Sequence, residues 1–316
     1  MADKPSRGLV LYGDGLARSV LPSHTHLHSL ASRACSGFLS LPDSPPSENE
    51  DARIVREFAE LLDSREAYNK MNEEDISEMR SQNTPLTPTI SQRFMGMKAA
   101  IVSDNPILKV FCDRLGVTTF GADGLLHCNS LEVGADGLLH CNSLEVKPLV
   151  SALELLGLQN GKVSEMNRFD LVILHVESVE DINGLVGELL TRMAQPGTEV
   201  GSRLHLSVVL SFGAVSYKED SKFSFCNNTR NESNSQLHML FPRQSYTMKG
   251  GKTRENVRHH CPMLVAQWQD GVTRKDAVGA FSFEDIKEEG GNLVIPVDRF
   301  LHELAFKLWK APKYGA

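Results

Sequence analysis

Short apolar runs alternate along this chain with segments whose apolar residues recur every three or four positions. GLVLYG (8–13), GFLSL (37–41), KAAIVS (98–103), FDLVILHVE (169–177), LHLSVVLSFG (204–213) and PMLVAQW (262–268) read as strands. Between them, THLHSLASRA (25–34), ARIVREFAELLD (52–63), PILKVFCDRLG (106–116), LVSALELLG (149–157), the stretch from Val179 to Met193 and VDRFLHELAFKLWK (297–310) carry helical spacing. In 52–63, for example, Ile54, Val55, Phe58, Leu61 and Leu62 share one helical face, and the helix ends in acid. Strand and helix in alternation predict an α/β fold, with a mostly parallel central sheet and helices on both faces. The run 169–177 is apolar almost without interruption, which suits a strand covered on both sides.

Three stretches depart from this rhythm. Residues 64–90 are polar and close on Thr-Pro-Leu-Thr-Pro, as expected of a linker or reduced insert. Residues 214–257 are rich in Ser, Asn, Lys and Arg and predict a long polar loop region. Between them, GADGLLHCNSLEV stands at 121–133 and again, unchanged, at 134–146. An odd period would turn a strand's faces over between copies, and two copies make no solenoid, so the repeat reads as a simple tandem duplication. His127-Cys128 and His140-Cys141 offer zinc-type donors, but copying the first pair produces the second automatically. With these exceptions, residues 1–316 are expected to form a single α/β domain.

Composition narrows the function. A net charge of −7 argues against a general affinity for nucleic acid, which needs clustered Lys and Arg. No apolar run has the length of a membrane span or of a signal peptide's core. Six cysteines are scattered without a CxxC pair, as expected of reduced thiols. The expectation is a cytoplasmic protein that engages neither nucleic acid nor membrane, and whose partner is a small phosphorylated metabolite or another protein.

In open α/β sheets ligands gather at the carboxyl ends of the strands. Those ends carry Asp14, Ser103 with Asp104, Glu177 followed by Glu180 and Asp181, and Ser211-Phe212-Gly213, with His259-His260-Cys261 just before the last strand. Asp14, Glu180, Asp181, His259 and His260 are the candidate metal ligands, because carboxylates and imidazoles on one rim suit divalent ions that clamp a phosphoryl group. Ser103 is the candidate nucleophile, and Arg254 and Arg258 are candidates to orient a phosphate bidentately. The plainer reading is that Glu180 and Asp181 complement a helix dipole and the arginines sit on a solvated loop. His24, His26 and His28 alternate while entering a helix, which aims them apart, so they read as surface or capping residues.

The order of these motifs resembles the alkaline-phosphatase superfamily, in particular its cofactor-independent phosphoglycerate mutase branch. The resemblance rests on Leu11-Tyr12-Gly13-Asp14-Gly15, on Thr25 to Ala31 with Ser36-Gly37-Phe38-Leu39, on Phe94 to Ser103, on Phe169 to Val176, and on His260-Cys261-Pro262-Met263-Leu264. It implies an alkaline-phosphatase-like sheet and a divalent metal (Mn, Mg or Zn) bound at the strand ends. The departures fall on the machinery. Leu185 stands where the family's metal-binding turn carries His, and Ser211-Phe212-Gly213 replaces its terminal Asp-His. No Ser or Thr nucleophile segment is evident, and 41–94 is too short for the mutases' cap domain. Two readings follow. One is a catalytically impaired, phosphoglycerate-mutase-like protein whose fold serves binding or regulation. The other is an active metal-dependent phosphomutase or phosphohydrolase built on Asp14, Asp181 and His260.

Overall fold

The computed structural model describes residues 6–42, 48–73, 87–121, 147–159, 161–214, 248–249, 252–254, 260, 262–291 and 294–312. Eight strands form the main sheet: β1 (Arg7–Gly13), β2 (Cys35–Ser40), β3 (Ala99–Val102), β4 (Thr118–Phe120), β7 (Leu171–Val176), β8 (Leu204–Ser211), β11 (Met263–Trp268) and β12 (Val294–Pro296). Their spatial order is β12-β2-β11-β8-β1-β7-β3-β4. Two small hairpins, β5 (Leu158–Gln159) with β6 (Lys162–Val163) and β9 (Met248–Lys249) with β10 (Lys252–Thr253), stand apart from it.

The sheet is parallel except at β11, which runs against both β2 and β8. It is thus the mostly parallel sheet that the alternating pattern predicts. β1 lies at its centre, pairing Gly8–Gly13 with Leu171–Val176 on one side and Arg7–Gly13 with Leu204–Leu210 on the other.

Alternation along β1 splits the core in two. Leu9 and Leu11 point into a cluster with Leu27 and Leu30 of α1 (Thr25–Ala31). Ala152 and Leu153 of α6 (Lys147–Leu155) and Ile182, Leu185 and Val186 of α7 (Val179–Glu188) join them. Val10 and Tyr12 point the other way, into a cluster with Val55, Phe58 and Leu61 of α2 (Glu50–Leu61). Here they meet Leu108 and Phe111 of α5 (Pro106–Arg114), after the short α3 (Arg65–Glu73) and α4 (Ile90–Arg93). Leu301 and Leu304 of α10 (Phe300–Lys307) complete this face, while α8 (Glu199–Arg203) and α9 (Phe283–Glu289) add to the first. Helices thus cover both faces of the sheet.

The helix starts follow capping chemistry. Asn49, Asn105, Ser178 and Ser282 each turn a side-chain oxygen onto a first-turn N–H of the helix that follows. Pro106 occupies the first turn of α5, where its missing N–H costs nothing. The polar stretch 64–90 holds α3 and the start of α4 among its described residues. Residues 122–146 and most of 214–257 lie outside the described residues, and with them the duplicated segment. Among the described residues no helix is long and apolar enough to cross a membrane, and Cys35 and Cys112 are free thiols.

Candidate functional site

The carboxyl ends of β1, β3, β7 and β8 meet at one margin, and the antiparallel β11 begins there. Asp14 follows β1 directly and is held by two side chains. Arg53 of α2 donates from Nη1 to Oδ1 at 2.7 Å and from Nη2 to Oδ2 at 3.0 Å, a bidentate fork. The Ser211 hydroxyl at the end of β8 donates to Oδ1 at 3.4 Å and itself accepts from the Gly15 N–H at 2.9 Å. Gly15 (φ +66°) and Gly213 (φ +71°) face each other across this point. A Cβ on Gly213 would sit 3.2 Å from the Gly15 Cα, so two left-handed turns can approach only without side chains.

Arg53 is shared with further acids. Nη1 lies 3.4 Å from Glu57 Oε2, one turn along α2, and Nη2 lies 3.6 Å from the exposed Glu50. Asp14, Arg53 and Glu57 are all withdrawn from solvent, with side-chain exposures of 10%, 7% and 2%. Burial, with Asp14 adding to it and Arg53, Arg56 and Ser211 opposing, brings the Glu57 carboxyl up to about 7. Arg56 joins the network at Glu57 Oε1, 3.9 Å from its Nη2, and is itself held by Glu48 at 2.9 Å. Tyr12, fully buried against Phe58, brings its hydroxyl to this group, where burial raises its pKa well above the ordinary value and Ser211 opposes the shift.

Beside Asp14 lies a second pair. The Ser103 hydroxyl at the end of β3 stands 3.0 Å from Nδ1 of His175 on β7, and accepts from the Asn105 N–H at 3.1 Å. Burial lowers the imidazole's proton affinity; Asp14, Glu177 and Asp104 counter it. In the tautomer that leaves Nδ1 unprotonated, the imidazole accepts a hydrogen bond from the Ser103 hydroxyl, a base placed beside a hydroxyl. Ser103 itself is 2% exposed.

The other residues singled out in the sequence scatter. Glu180, 71% exposed, lies in the first turn of α7 with His24 Nε2 at 3.6 Å. Asp181 follows it, its own N–H bound to the Ser178 cap. His260 is buried near the start of β11, where its backbone carbonyl accepts from the Leu41 N–H. Arg254 forks onto Asp298 at 2.8 and 2.7 Å, away from Asp14. His259 and Arg258 lie outside the described residues. Among the described residues no three His, Cys, Asp or Glu side chains gather as a metal would require. Asp14 does not fit a divalent ion either, because a guanidinium occupies both of its oxygens.

The positions where the resemblance expects further ligands are core. Leu185 and Phe212 belong to the apolar cluster under α1 and α7, and the Phe212 ring meets Phe283 edge-on at 6.1 Å. Reading the sequence missed Arg53, Glu57 and His175. The first two were hidden on what reads as the polar face of an amphipathic helix, the third within an apolar strand. A carboxylate and a guanidinium one turn apart, Arg53 and Glu57, was the available signal.

No family model and no curated protein matches the chain. Solved structures do. The PH0037 protein of Pyrococcus horikoshii superposes with a TM-score of 0.55 over 99% of both chains, at 12% identity. The cofactor-independent phosphoglycerate mutase of Thermoplasma acidophilum follows at 0.46, 11% identical, over 96% of this chain and 99% of that one. An alkaline-phosphatase-superfamily protein of Vibrio parahaemolyticus gives 0.37 at 9% identity, over 85% of this chain and 61% of its own. At such identities the likeness is one of fold.

Proposed function

We propose that this protein is a divergent, phosphoglycerate-mutase-like member of the alkaline-phosphatase superfamily whose metal-dependent phosphoryl transfer is impaired, and whose fold serves binding or regulation. The observation that carries this reading is the burial of Leu185 and Phe212. Both stand where the resemblance calls for metal ligands, and both are packed into the core at 5% and 9% exposure. A lost ligand at the surface is easily regained, whereas these side chains now hold α7 and the end of β8 in place. Two-metal chemistry needs ligands from several strand ends at once, and the described residues assemble none beyond Asp14.

Elemental analysis of the purified protein, followed by phosphatase and mutase assays with added Mn²⁺, tests the reading. The expected result is substoichiometric metal and no turnover above a buffer control. Stoichiometric metal together with turnover that disappears in Asp14→Ala would overturn it and establish the active phosphohydrolase or phosphomutase instead.

A further inference from the structure

We propose that Arg53 takes the place of a divalent cation at Asp14, so that the positive charge of this margin is built into the chain and the protein is metal-independent there. The inference builds on the reading that metal chemistry is impaired and adds what has replaced the metal.

The geometry supports substitution rather than coexistence. Nη1 and Nη2 lie 2.7 and 3.0 Å from the two Asp14 oxygens. A divalent ion would need the same oxygens at about 2.0–2.6 Å, so it would fall within the guanidinium's volume. Two adjacent cations at this buried point would also repel each other strongly. The donors around Arg53 are oxygens throughout: Asp14, Glu57 3.4 Å from Nη1, and the Ser211 hydroxyl 3.4 Å from Asp14 Oδ1. The Tyr12 hydroxyl, fully buried, adds a further neutral oxygen to this group beside Ser211. Two carboxylates and neutral oxygens, with no sulfur, are the donor set of a hard cation such as Mn²⁺, Mg²⁺ or Ca²⁺. Removing the guanidinium's charge should therefore expose a cation site that the native protein keeps closed.

The test is Mn²⁺ titration followed by electron paramagnetic resonance and by thermal melting, on the full-length protein. The native chain is expected to bind no Mn²⁺ in the micromolar range and to show an unchanged Tm. Arg53→Ala is expected to bind one equivalent and to gain several degrees in Tm with Mn²⁺, and the added change Asp14→Asn is expected to abolish both effects. Arg53→Met, which keeps the aliphatic packing of the stem, guards against loss of fold and should behave alike. A folded Arg53 variant that ignores Mn²⁺ overturns the proposal. So do both variants remaining unfolded in Mn²⁺, since the ion should replace the missing charge. Native protein that binds Mn²⁺ at Asp14 overturns it as well. Silent variants alone would leave the impairment reading intact, because that reading turns on turnover by the native chain.

Discussion

Gly13 shows how tightly the Asp14 carboxylate is placed. A Cβ there would come within 2.7–2.8 Å of methyl groups on Leu210, Ile182 and Leu16, each from a different element. Gly13→Ala should force all three apart and cost about 1–3 kcal/mol, read by urea denaturation. It should also loosen Arg53 from Asp14, since the strand end carrying the carboxylate must shift. Glu57 makes a second prediction at this scale. Its carboxyl titrates near 7 in the fold, because burial penalises the ion, against an ordinary value of 4.5. The folded protein therefore holds this proton more tightly, and the stabilisation is full below pH 4.5 and lost as pH rises through 7. The difference amounts to at most about 3 kcal/mol. Glu57→Gln should flatten that part of the stability–pH profile.

Among the elements, the β9–β10 hairpin is tied down by ions. Lys249 reaches Asp298 at 2.6 Å and Asp63 at 3.1 Å, while Arg254 forks onto Asp298 from the hairpin's far end. Asp63, just beyond α2, also receives His302 of α10 at 3.1 Å. Both carboxyls are held below the usual carboxylate range by these partners, although burial works against them. Asp298→Asn should cost about 1–3 kcal/mol, between an exposed and a fully buried pair. It should also make 248–254 an early site of limited proteolysis. How much of this was legible in the sequence depended on the element. Leu171–Val176 and Leu204–Ser211 announced themselves because central strands of a covered sheet are apolar on both faces. β4 and β12, three residues each, were too short for any period to show. The reversal of β11 was not legible, since direction is a property of the connection and not of the strand. At the margin, Asp14 was legible from its place after β1. Arg53 was not, because a buried ion pair on a helix has the same residue pattern as a solvated one.

Over the whole molecule, two buried groups set opposing pH dependences. His205 lies in β8 with no solvent exposure, and burial together with nearby Lys307 holds its proton affinity well below the ordinary 6.5, with Gln269 opposing. The unfolded chain takes up that proton below pH 6.5 and the folded chain resists it, so stability falls on acidification through that range. Glu57 acts in the reverse sense between 4.5 and 7. In the native protein the two slopes oppose each other over this window. His205→Phe should unmask the slope due to Glu57, Glu57→Gln the slope due to His205, and the double variant should level both.

The reversed strand has a consequence for how this fold can change. Because β11 runs against β8, the chain leaves the sheet after Ser211 and re-enters at Met263 on the same margin, where the Phe212 N–H donates to the Pro262 carbonyl at 2.8 Å. That bond closes the neck of an excursion comprising 213–261. Lengthening such an excursion is inexpensive, since doubling a loop adds only about 0.6 kcal/mol of closure entropy. The register itself is set between Leu206–Ser211 and Met263–Trp268. The neck thus fixes where the excursion leaves and rejoins the sheet without fixing its length.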